Sequence, residues 1–311
     1  MGLCYIVLNT LQNEKSFYFV ISGFAIGALV ASSLLLFGYE TYQTGSAARM
    51  GRATLSEESN PVILARSIAM GFLASLPIFF EQKKKMLKIV IVGVLVLFFL
   101  AIAVKTQSRG ALASALGIPV LCLIICSKSK NRLKYLFLAF LLGGISLYTV
   151  NFVLESNLIN KMAKERFEKQ TLEKSGRLEL WKQGFKAFLK RPIQGYGLNN
   201  SPLALERTLK GWSIHNNVVS IAVDLGLVGM LLFIAIFMIL YKDLIRISDI
   251  KIKFTGLSML LFAMLSGTTS VNYAKKDFWY ALSVAMAVAT ICKIQNMQGR
   301  LEDKNAASQN T

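Results

Sequence analysis

One histidine, three tryptophans, four cysteines and five prolines are spread through 311 residues, and 17 acidic side chains face 35 lysines and arginines. Each scarcity excludes something. A single imidazole, with no cysteine or carboxylate cluster nearby, leaves no ligand set for a metal such as zinc. Cys4, Cys122, Cys126 and Cys292 lie in or beside apolar segments, without metal-type spacing or a disulfide framework, and read as packing residues. No obvious nucleophile stands beside a base. Residues 1–10, "MGLCYIVLNT", lack the basic start and cleavage site of a signal peptide. They are compatible with the end of a further helix, which leaves the first spanning segment to act as an uncleaved insertion signal.

Apolar side chains are what the chain has in abundance. They make up 54% of it, and the mean hydropathy of +0.51 is too high for an ordinary soluble domain. The hydrophobicity falls into blocks long enough to cross a hydrocarbon core, at about 17–38, 61–80, 88–105, 110–126, 133–154, 217–241, 252–270 and 277–294. Backbone amides in lipid must be satisfied internally, so each block is expected to be a helix. The expected fold is all-α: a polytopic integral membrane protein, one membrane domain over 1–311, with about eight transmembrane helices.

The net charge of +18 is distributed for orientation and not for nucleic acid. "EQKKKMLK", "SKSKNRLK" and "KDLIRISDIKIK" lie in alternate connections, and the connections between them are poorer in cations. That asymmetry places the basic loops and both termini in the cytoplasm and residues 155–216 on the outer side.

The outer segment is long enough to have structure and function of its own. In "RLELWKQGFKAFLK" the spacing puts Leu178, Trp181, Phe185, Phe188 and Leu189 on one arc, with Lys182, Lys186 and Lys190 opposite. This is an amphipathic helix expected to lie on the membrane or on the other helices. "RPIQGYG" follows as a helix stop with turns at Gly195 and Gly197. Arg177 falls at the edge of the apolar arc, away from the lysine row. It either snorkels or holds its planar guanidinium over a phosphate. Arg109, at the mouth of a spanning helix, Arg52, in the first outer loop, and Arg66, about one turn inside a membrane segment, compete for the same role. Arg66 is equally a candidate partner of Asp224, also an intramembrane charge. His215 opens "HNNVVSIAVDLGLVG", at the start of an apolar block. Its imidazole can accept a proton at neutral pH; the alternative is a residue that caps or anchors a helix.

These blocks resemble the O-antigen ligase family, which includes related polysaccharide polymerases and O-linked oligosaccharyltransferases. The resemblance rests on His215-Asn216, nine residues, Gly226, two residues and Gly229, and on "SGRLELWKQGFKAFLKRPIQGYGLNNS", "QSRGALAS" and "GRATLSEESNPVILA". It covers roughly residues 45–240. It implies a glycosyltransferase of the bacterial inner membrane, needing neither metal nor cofactor, with part of its site on the periplasmic loop 155–216. The donor would be an undecaprenyl-diphosphate-linked glycan, and the acceptor lipid A–core or, in a polymerase, a growing glycan. By the resemblance His215 is the base or orienter, Arg177 and Arg109 hold the diphosphate, and Arg52 is a weaker candidate. Arg66 and Asn216 complete the candidate substrate-binding residues. Gly226 and Gly229, with Ala222, are expected to form a small-residue face for close helix approach. A transporter of the same lipid-linked glycan is the competing reading from another class; it predicts paired half-sequences, and none is visible.

Overall fold

A computed structural model of the chain describes residues 14–38, 42–43, 53–55, 60–106, 108–127, 133–134, 136–137, 174–205, 213–267 and 276–309. The apolar blocks become helices whose starts are written locally. Asn60 caps α2 (Pro61–Glu81): its Oδ1 accepts the Val62 N–H at 2.9 Å, and Pro61 occupies the first turn, where its missing N–H is harmless. Ser108 caps α4 (Arg109–Cys126), and Asp249 caps α8 (Ile250–Ser266). Ahead of α2 lies α1 (Glu14–Phe37), and between α2 and α4 lies α3 (Lys85–Leu100), which widens into a π-helix over Ala101–Thr106. Between α4 and α8 lie α5 (Lys174–Lys190), the single turn α6 (Ser201–Ala204) and α7 (Asn217–Ile245); α9 (Lys276–Gln309) closes the series. Beside the helices, a two-residue antiparallel ladder pairs β1 (Tyr42–Gln43) with β2 (Ala53–Thr54).

Helices therefore occupy the expected blocks, apart from 133–154, most of which lies outside the described residues. Among the described residues, three stretches are long and apolar enough to cross a membrane: Lys15–Phe37, Pro61–Phe79 and Asn217–Ile245; Gly110–Cys126 is a shorter apolar helix. Apart from the short ladder, the described residues form a predominantly helical membrane protein, with three candidate spans among them defined by length and hydropathy.

The main core joins α1, α2, α4, α8 and α9 around fully buried Phe17, Ile68, Leu73, Ile118, Leu257 and Phe278. A smaller core gathers Leu180 and Ala187 of α5, Leu205, Ile214 and Val223. The second core fixes α5 against the start of α7, and the candidate site lies where the two cores meet.

Candidate active site at the start of helix α7

The chain enters α7 through Ile214, His215 and Asn216, each held differently. Ile214 is fully buried, and its carbonyl accepts the Trp181 Nε1–H at 3.0 Å. His215 has φ 55°, a left-handed conformation uncommon outside glycine, and its side chain is half-buried. Asn216 is the helix cap: its Oδ1 accepts the N–H groups of Val218 at 2.9 Å and Val219 at 3.2 Å. The next N–H, of Asn217, donates to the Gly267 carbonyl at the end of α8 at 2.8 Å. A strained turn thus projects the one imidazole between an anchor on α5 and an anchor on the bundle.

Helix α5 meets this turn with a face the sequence pattern does not favour. Its buried residues are Leu180, Gln183, Gly184 and Ala187; Trp181 and Phe188 flank them half-buried, while Leu178, Phe185 and Leu189 are exposed. The cause is close approach: a Cβ at Gly184 would lie 2.8 Å from Val219 Cγ1 and 3.2 Å from Ile214 Cδ1. Gly184 and Ala187 allow the close packing here; Trp181 and Phe188 of the bulky arc stay at its edge, and Leu178, Phe185 and Leu189 are left outside it. Arg177 is exposed but sits on the side of α5 that runs into the packed face, the edge position expected from its spacing.

Arg66 approaches from the bundle. It is buried in α2, its Nη2 donates to the Ser266 carbonyl at 3.0 Å, and its Nη1 lies 3.8 Å from Asp277 Oδ2 at the start of α9. The carboxylate facing Arg66 is therefore Asp277, and the expected pairing with Asp224 gives way to it. Asp224 accepts the N–H groups of Asn199, at 3.0 Å, and Ser201. Its place in the middle of a long apolar helix is tolerable because loop backbone, not lipid, surrounds it.

That loop also breaks α7. Gly226 has φ 66° and ψ −162°, and the gap it opens is filled by residues 192–197. Tyr196 N–H donates to Val223 O at 2.9 Å, Gly197 N–H to Asp224 O at 2.8 Å, and Leu227 N–H to Pro192 O at 2.7 Å. Gly195 (φ 66°) and Gly197 (φ 94°) make the turns, as expected. The small-residue face assigned to Ala222, Gly226 and Gly229 is replaced by a different device. A Cβ at Gly226 would collide with the Ile193 carbonyl, and one at half-buried Gly229 would meet only Leu225 of its own helix.

The electrostatics follow from this geometry. His215 is pushed below its ordinary 6.5, first by burial and then by the positive charges of Arg177 and Arg66. Neutral imidazole is thus the resting form at neutral pH. The structure brings together His215, Arg177, Arg66 and Asn216. It places the backbone of Arg109 in the first turn of α4, directly after the π-helix and the Ser108 cap, with its side chain outside the described residues; Arg52 lies outside them altogether. Asn216 uses its acceptor oxygen in the cap, which gives the residue a structural task beside any substrate contact. Among the described residues, no three His, Cys, Asp or Glu side chains come together.

Sequence reasoning missed Asp277, Gly267 and the π-helix. Asp277 carried a readable signal, an acid at the head of an apolar block in a chain poor in acids. Gly267 carried none: its value lies in contact with Asn217, whose Nδ2 would sit 2.5 Å from a Cβ there.

No curated protein matches the chain as a relative. A family model described as O-Antigen ligase does match, over residues 94–234, a stretch that contains the π-helix, Arg109, α5, the docked loop, His215 and the break in α7, so the chain carries a domain of the O-antigen ligase family.

Proposed function

We propose that the protein transfers a glycan from undecaprenyl diphosphate to an acceptor hydroxyl at the periplasmic face of the bacterial inner membrane, and that ligation of O-antigen to lipid A–core is the reaction. His215 accepts the proton of the acceptor hydroxyl. The freed oxygen attacks the anomeric carbon of the donor sugar, and the bond to undecaprenyl diphosphate breaks with its electron pair staying on the leaving group. Arg177 and Arg109 neutralise the diphosphate, and Arg52, Arg66 and Asn216 belong to the substrate-binding surround. The scheme uses no metal.

One observation carries this reading: a lone imidazole, held in a left-handed turn and kept neutral by burial, has cationic neighbours arriving from two other helices. A base beside fixed positive charge suits a reaction that removes a proton and releases an anion. The family match supports the reaction type, and polymerisation of repeat units is the alternative within it. Lipopolysaccharide gels from a deletion strain separate them. Loss of ligation leaves bare lipid A–core, loss of polymerisation leaves core carrying one repeat, and an unchanged ladder counts against both. Purified protein given lipid-linked donor and acceptor releases undecaprenyl diphosphate if it is a transferase; translocation without that product supports a transporter.

A further inference from the structure

The corner where α5 ends is apolar, exposed and held rigidly. Leu189, Ile193 and Leu198 are 58%, 65% and 66% exposed. Flexible chain would let such side chains fold inward, but here the backbone is fastened. Pro192 O accepts from Leu227, Gly197 N–H donates to Asp224, and Gly195 N–H donates to Arg191 O. The corner is thus presented outward by design of the same hydrogen bonds that break α7.

Its level in the molecule identifies what it meets. Within α7 the residues from Ser220 to Asp224 are all buried, and Gly226 is buried beside the docked loop. From Leu227 to Ile239 none is, and Val228, Leu231 and Leu232 are among the exposed apolar side chains. The 29 residues of α7 rise about 43 Å, more than the roughly 30 Å of a hydrocarbon core. The part beyond Gly226, with Lys242 in its last turn, is closer to the length of one span. The apolar corner sits where that uncovered surface begins, since Leu227 is bonded directly to Pro192.

Charge completes the pattern. Lys190 and Arg191 flank the corner, and Arg191 is steadied over the Tyr196 ring at 4.8 Å from its centroid. Apolar side chains edged by cations suit the boundary between acyl chains and phosphate headgroups. We infer that Leu189, Ile193 and Leu198 form a foot inserted into the phospholipid leaflet on the His215 side, with Lys190 and Arg191 on its headgroups, and that this foot sets the height of α5 and its Arg177 above the bilayer. The inference concerns the lipid surface and stands independently of the reaction proposed above.

Photo-crosslinking tests it on the full-length protein. p-Benzoylphenylalanine is placed singly at Leu189, Ile193 and Leu198, and at Glu179, an exposed control on the polar flank near the other end of α5. The proteins are reconstituted in vesicles of phosphatidylethanolamine and phosphatidylglycerol, irradiated, and analysed by mass spectrometry. Phospholipid adducts are expected at Ile193 and Leu198, with Leu189 following, and none above background at Glu179. Adducts to a second copy of the chain at these positions, or no phospholipid adduct at any of the three, overturns the proposal; equal lipid adducts at Glu179 overturns it too. Because each site is read separately, one misfolded variant leaves the others decisive. Quenching of Ile193→Trp fluorescence by brominated phospholipid, relative to the unsubstituted protein, supplies a second readout; no added quenching rejects the foot.

Discussion

Replacing Gly226 by alanine tests whether the break in α7 is built or incidental. The residue has φ 66° and ψ −162°, a region all but restricted to glycine where an L-side chain costs about 1–3 kcal/mol, and the new Cβ would collide with the Ile193 carbonyl while lying 2.9 Å from Pro192 O. The clash cannot be relieved by rotating a side chain, because both neighbours are backbone, so the loop has to leave. Three backbone hydrogen bonds leave with it, those of Tyr196, Gly197 and Leu227. At a net 0.5–1.5 kcal/mol each, their loss sets the expected local destabilisation at roughly 1.5–4.5 kcal/mol, the strain at residue 226 being released once the loop has left. The readout is trypsin cleavage after Lys190, which tracks the population of the opened loop when opening is fast relative to cleavage. At 1.4 kcal/mol per tenfold, the lower bound corresponds to cleavage about 10-fold faster. Gly93→Ala is the control, because a Cβ there has nothing within 4 Å, and it should leave cleavage unchanged. If Gly226→Ala is cleaved at the wild-type rate, the docked loop does not stabilise the break and the reasoning fails.

Further expectations concern the site itself. His215→Ala should lower transfer by about 10²- to 10⁴-fold with near-normal membrane insertion, since the residue is half-buried in a turn and leaves no large cavity; wild-type transfer by a well-expressed variant rejects the base. Arg177→Lys keeps its charge but loses planar bidentate contact, so transfer should fall more than in Lys186→Ala, whose charge is solvated; the reverse order at matched expression means general electrostatic attraction. With His215 depressed below 6.5, the acid limb of the kcat/KM profile should lie below that value, and Arg177→Gln should move it upward. The same shift makes this group's stability contribution complete above pH 6.5 and lost as pH falls through the folded value, because the unfolded chain then binds more protons. Asp277→Asn leaves Arg66 buried without its carboxylate and should destabilise by about 3–5 kcal/mol, read as a lower thermal midpoint in detergent; an unchanged midpoint means the pair contributes little.

Much of the bundle was legible because the signals for a membrane helix are local. Runs of apolar residues, Asn60 before Pro61, Ser108 before Arg109 and Asp249 before Ile250 each mark a boundary in a few adjacent letters. The candidate site was legible in part for the same reason, since His215-Asn216 announces a polar turn and cap ahead of an apolar run. What stayed hidden depends on contacts distant in sequence. The arc of Leu178, Trp181, Phe185, Phe188 and Leu189 was expected to lie on the membrane or on the other helices, and the pattern did not say which part of α5 packs. Trp181 and Phe188 flank the small core, and the closest approach falls at Gly184, where Ile214 and Val219 leave no room for a larger residue. The choice between Asp224 and Asp277 for Arg66 was equally invisible, because it depends on where the loop after α5 inserts its N–H groups.

His215 lies between two packed units. Ile214 belongs to the small core with α5, whereas the N–H of Asn217 is bonded to the end of α8 in the main bundle. Of the two residues between them, His215 makes the left-handed turn, so that a shift of either unit would move its ring. Arg177 travels with the first unit and Arg66 with the second, so the charges around the imidazole also report how the units sit together. Transfer in the proposed mechanism needs the base, the acceptor and the diphosphate-binding arginines in register at one moment. Tying α5 to α7 through Trp181, the docked loop and Asp224 makes that register a property of the fold.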